Sequence, residues 1–215
     1  MSGIVGSRFN IRGSGLVGSL GTDGQVFTSS GAGAGAVFEA AGGGAWNHLV
    51  TTTASDDDYI EFDTTYITST YKVYKIIISH LVPEKTGDGP QPAEFWCQFK
   101  HGGSYQTSGY QWSAEDHNSG QVTSTSSAQI QLTPDNLGGD TGENSAWEIT
   151  LDDPLGTAND KGLRGMSMNY NQDNELSTDW CVGGSHATTA IDALKFYIET
   201  GEIESGRFSL YGITT

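Results

Sequence analysis

The sequence predicts an all-β fold: an antiparallel β-sandwich, jelly-roll-like, over residues 46–215, preceded by a glycine-rich extended arm over residues 1–45. Three observations predict it. From Trp46 onward, apolar and polar residues alternate with period two in short runs. Those runs are separated by clusters of Gly, Asp, Asn, Ser and Pro, the residues that turns require. Helical periodicity with capping signals is nowhere convincing.

The arm holds 13 of the chain's 30 glycines and only Arg8, Arg12, Asp23 and Glu39 as charges, so the −16 net charge falls entirely on residues 46–215. Glycine loses the most backbone entropy on folding, and few bulky apolar residues are present to offset that loss. Such an arm is expected to fold against a partner, as an anchoring or oligomerisation element.

Along the sandwich, Phe95, Cys97 and Phe99 share one strand face, with Trp96, Gln98 and Lys100 on the other. The same reading turns inward Ala128, Ile130 and Leu132, then Trp147, Ile149 and Leu151, then Met166, Met168 and Tyr170. Leu194, Phe196 and Ile198 follow, with Phe208 and Leu210 last. Val73, Tyr74, Ile76, Ile77 and Ile78 do not alternate, which predicts a central strand covered on both faces. Further strands are expected near 46–53, 59–62, 105–112 and 180–182, roughly ten in all. Turns are expected at 83–92, 116–120, 134–142, 152–161, 171–175 and 201–206. An immunoglobulin-like layout lacks its Cys and Trp spacing here.

Composition narrows the function. With 26 acidic against 10 basic residues, no nucleic-acid partner is expected, because phosphate neutralisation needs clustered Lys and Arg. No run of about 18 apolar residues occurs, so no membrane insertion by a helix is expected, and the N-terminus does not resemble a secretory signal. Cys97 and Cys181 each sit in an apolar, strand-like context; buried free thiols are expected, with a single disulfide as the other state.

The motifs that could carry chemistry each have a plainer account. Gly13-Ser14-Gly15-Leu16-Val17-Gly18 is a literal G-x-G-x-x-G, but Gly21 and Gly24 break the helix a dinucleotide site would need. Lys85-Thr86 belongs to no phosphate-binding loop. The histidines His48, His80, His101, His117 and His186 show no metal-ligand spacing. Ser185-His186 follows two glycines without a nucleophile elbow and reads as a polar turn. Asp56-Asp57-Asp58 and the set Asp135, Asp140 and Glu143 could gather oxygen ligands for calcium, but read first as solvated turns. Glycoside hydrolysis would need a carboxylate pair that no spacing picks out. No catalytic, cofactor-binding or metal residue is therefore assigned, and no cofactor. Tyr105, Tyr110 and Trp112, beside His101 and Gly102-Gly103, could stack on a sugar, but Tyr110 and Trp112 share a face, as core residues do.

The run Gly21-Thr22-Asp23-Gly24-Gln25-Val26-Phe27-Thr28-Ser29-Ser30-Gly31-Ala32-Gly33 resembles a short element near the start of many tail-fibre-like and other virion structural proteins of tailed bacteriophages. The closing Ser205-Gly206-Arg207-Phe208-Ser209-Leu210-Tyr211-Gly212-Ile213 resembles the final hairpin strand of such domains. The resemblance covers about a fifth of the chain. It implies a non-enzymatic virion component, assembled in the host cytoplasm, of short tail-fibre or capsid-decoration type. It also implies a homotrimer, with the arm docked on other capsid or tail proteins. The alternative is a carbohydrate-binding receptor-recognition module that attaches to a host surface glycan.

Overall fold

The computed structural model describes residues 25–29, 36–40, 45–84, 93–117 and 120–214. The chain divides into two compact units, Met1–Gly44 and Ala45–Thr215. In the first, β1 (Gln25–Ser29) pairs antiparallel with β2 (Ala36–Ala40), and Phe27 meets Phe38 at 5.1 Å between ring centroids. An arm read as simply extended thus contains a strand pair. Gly13–Gly18 and Lys85-Thr86 lie outside the described residues.

The second unit is a sandwich of two antiparallel sheets, and no helix occurs among the described residues. Its framework is β3 (Trp46–Asp57), β4 (Ile60–Asp63), β5 (Val73–Pro83), β6 (Phe95–His101), β10 (Ile130–Gln131), β11 (Ser145–Asp152), β15 (Ala193–Ile198) and β16 (Ile203–Ile213). The large sheet begins β3-β16-β5-β11, and the small sheet runs β4-β15-β6-β10. Each neighbouring pair in sequence, β3 with β4, β5 with β6, β10 with β11 and β15 with β16, splits between the two sheets. Eight strands crossing between two four-stranded layers in this order form a jelly roll.

Two insertions widen the large sheet. β8 (Tyr110–Asp116) and β9 (Gly120–Ser127) come between β6 and β10, after the short β7 (Ser104–Tyr105). β12 (Lys161–Tyr170), β13 (Leu176–Ser177) and β14 (Asp179–Ser185) come between β11 and β15. They continue the large sheet as β11-β12-β14-β8-β9.

Rings from both sheets meet in the core: Phe95 with Trp147 at 5.4 Å, Phe196 with Phe208 at 6.1 Å, and Phe99 with Tyr110 at 5.7 Å. Tyr110 also ties the layers by hydrogen bonds. Its hydroxyl accepts the Phe99 amide at 2.7 Å and donates to the Phe99 carbonyl at 3.2 Å, all fully buried. Where β10 lies against the extension, Gly183 makes room, because a methyl there would collide with Ile130.

Four expectations are corrected. Ile77 and Val73 are half-buried, so β5 is central within its sheet but covered fully on one face only. Ala128 is exposed while Ile130 and Leu132 are buried. Residues 205–213 close no hairpin: β16 is an interior strand between β3 and β5, and its predecessor β15 lies in the other sheet. Met166 and Met168 point out, not in, being 45% and 47% exposed, and Tyr170 is only half-buried.

Two substitutions test this packing. Tyr110→Phe should lower stability by about 1–3 kcal/mol, because the Phe99 amide is left buried and unpaired. Gly183→Ala should cost about 1–3 kcal/mol through the clash with Ile130. Urea midpoints at unchanged slope would measure both.

Candidate functional site on the outer face of the large sheet

Alternation along β12, β14, β8 and β9 sends one set of side chains inward and the other to solvent. Register then lines up the outward set. Glu148, Met166, Trp180, Glu115 and Gln121 stand side by side across β11, β12, β14, β8 and β9. In the next row stand Thr150, Arg164, Val182, Ser113 and Thr123.

Trp180 is 61% exposed and Val182 56%, and no ring contact to Trp180 occurs among the described residues. The two border a shallow depression of about 360 Å³ with Met166, Arg164, Glu115 and Glu148. Val182 also borders a second hollow of about 630 Å³ that runs past Trp112, Thr123 and Gly184 to His186.

Charge in the depression is balanced. Lys75 pairs with Glu148 and lies 5.3 Å from the Trp46 ring centroid. Burial pushes the Lys75 ammonium down from its ordinary value, and the nearby Arg164 adds to that. Arg164 itself has no ion pair among the described residues. Gln121 donates to Ser113 Oγ at 2.9 Å, which holds the amide at the rim.

The outer face of the small sheet is different, because its aromatic and charged groups satisfy one another. Lys195 Nζ sits 4.3 Å from the Tyr105 ring centroid, 4.7 Å from that of Tyr197 and 5.4 Å from that of Tyr59. The Tyr105 hydroxyl donates to Glu61, and Trp96 Nε1 donates to Glu94 Oε2 at 3.0 Å. Tyr105 is therefore already engaged, Tyr110 is in the core, and Trp112 is half-buried against it. None of these three aromatics, which the sequence offers for stacking on a sugar, has a free face comparable with that of Trp180.

The remaining candidates disperse. Ser185 is buried on the inner face, whereas His186 is exposed with Nδ1 2.7 Å from Asp160 Oδ2, so the pair does not converge. Asp57 accepts the Ser55 amide at 2.9 Å, and Asp56 adopts a left-handed φ of 55° at the strand end. Glu143 accepts the Asp140 amide at 2.7 Å, and Asp135 accepts that of Asn136 at 2.7 Å, so both carboxylates hold their own loop. No group of three or more His, Cys, Asp or Glu able to hold a metal ion occurs among the described residues. Cys97 and Cys181 are free and buried in opposite sheets, and burial pushes the Cys181 thiol up to about 12.

Beneath the extension lies a polar network that the sequence did not single out. Asp179 Oδ2 accepts Ser167 Oγ at 2.9 Å and Asn169 Nδ2 at 2.6 Å, all three being buried. Asp116 stands opposite Asp179 in register and is also buried. Burial chiefly, with the charges of Asp116 and Asp135 adding, pushes the Asp179 carboxyl up to about 7 against the two donated hydrogen bonds.

A carboxyl whose folded value lies above its unfolded one stabilises the fold fully below the unfolded value, near 3.8, and that stabilisation is lost as pH rises through about 7. Asp179→Asn keeps an acceptor for Ser167 and Asn169 but cannot ionise. Its urea midpoint should therefore gain on wild type between pH 5 and pH 8. Parallel pH profiles would show that Asp179 is not the titrating group.

No protein-family model matches the chain, and no curated protein matches it.

Proposed function

We propose that this protein is a non-enzymatic structural component of a tailed-bacteriophage particle. In this reading residues 46–215 are the displayed domain, and residues 1–45 attach it to other capsid or tail proteins. The observation that supports it best is the outer face of the large sheet. Trp180, Val182, Met166 and Met168 stand exposed on strands, and the largest of them has no ring partner among the described residues. Apolar side chains gathered on one face of a folded domain are a contact surface for something else. The virion assignment rests on the resemblance of residues 21–33 to an element of phage structural proteins. It carries with it a homotrimer, located on the virion.

Deleting residues 1–45 should leave a soluble, folded sandwich that no longer enters particles. Light scattering should give about three times 22.8 kDa for the full chain and a monomer for the fragment. A fragment that still enters particles would place the attachment in the sandwich.

A further inference from the structure

We infer that the depression beside Trp180 binds a neutral hexopyranose segment of a polysaccharide. The inference rests on reading this face as the contact surface, and it names the ligand.

The chemistry of a pyranose is two-sided: one face of axial C–H groups, and a rim of hydroxyls that both donate and accept. The C–H face needs a flat, exposed aromatic surface, and Trp180 supplies it. The rim needs planar groups close beside the ring. Register puts Glu115 one strand away on one side, with Gln121 beyond it; on the other side Arg164 is diagonal across Met166 and Glu148 lies two strands away. Neighbouring strands stand about 4.8 Å apart, so these groups fall at the spacing of a sugar ring and its substituents. All sit on strands, so little order has to be imposed on binding.

A protein partner fits less well. The four exposed apolar side chains offer roughly 400 Å², close to the apolar share of one side of a standard interface, so area does not decide between the two and charge does. Arg164 and Glu115 would be stripped of water at its centre, a cost that sugar hydroxyls relieve by hydrogen bonding. Neutrality of the sugar follows from charge: two cations, Lys75 and Arg164, balance two carboxylates, Glu115 and Glu148, inside a chain of net charge −16 that repels uronates and sialosides.

The test is a printed array of neutral hexose oligosaccharides beside uronate and sialylated ones, probed with the full-length chain. Wild type should retain a subset of the neutral glycans. Trp180→Ala should weaken that retention about tenfold or more, the loss of one stacking contact, and Trp180→Phe should keep most of it. Equal melting temperatures for the three proteins would exclude misfolding as the cause. Retention of anionic glycans alone, or equal retention by Trp180→Ala, overturns the assignment. If no glycan is retained and Trp180→Ala alters solution mass or particle entry, the glycan falls while the contact face stands. If it alters neither, both fall.

Discussion

A sheet whose main path is eight strands wide faces one whose main path is four, and that mismatch governs most of what distinguishes this domain. Over β3, β16, β5 and β11 the interior is apolar and rich in aromatic rings, because the small sheet lies directly opposite. Past β11, the small sheet offers the Phe99 end of β6, against Tyr110, and the two-residue β10, seated against Gly183. The segment at 132–144 also reaches the far end, through the Leu137–Asn171 bridge and the Gly138 amide on the Tyr170 carbonyl. What is buried there is partly polar, and it is held by hydrogen bonds among Ser167, Asn169 and Asp179. Buried polar groups of this kind are tolerable only when paired, so these residues are tied to one another as closely as core residues are by shape.

This mismatch also explains what could be read from the sequence and what could not. Strands of the jelly-roll framework were legible because one face of each is apolar: Phe95, Cys97 and Phe99, or Trp147, Ile149 and Leu151, leave no ambiguity. β12 misled because two of its apolar residues, Met166 and Met168, face water, while Ser167 and Asn169 join Leu163 toward the interior. A period-two pattern reports which residues share a face, not which face is buried. β9, Gly-Gln-Val-Thr-Ser-Thr-Ser-Ser, carries a single apolar residue and so gives no period-two signal; it is an outermost strand of the large sheet. Trp180 was visible, but within Trp180-Cys181-Val182 nothing distinguishes the inward Cys181 from its outward neighbours until the partner strands are known.

The candidate site follows the same division. Its central residues, Met166, Trp180, Val182 and Glu115, come from strands inserted into the jelly roll, while the framework supplies Glu148 and Lys75 at the margin. A generic fold gains individuality where extra strands are added to it, and here the added strands carry the exposed apolar residues. On the outer face of the small sheet, by contrast, the aromatic and charged side chains pair with one another.

The position of β16 bears on how such a chain is made. It is seated between β3 and β5, and Asn47 reaches the Gly212 carbonyl 165 positions away. A ribosome delivers β3 and β5 long before residues 203–213 emerge. Until then each lacks the neighbour on which its long edge depends, and the apolar face of Ile76 and Ile78 is incompletely covered. Topologies dominated by such distant pairings close late and slowly. Nascent copies on one messenger thus share a window in which open edges could join between chains, and the net charge of −16 on each finished chain opposes that joining by mutual repulsion.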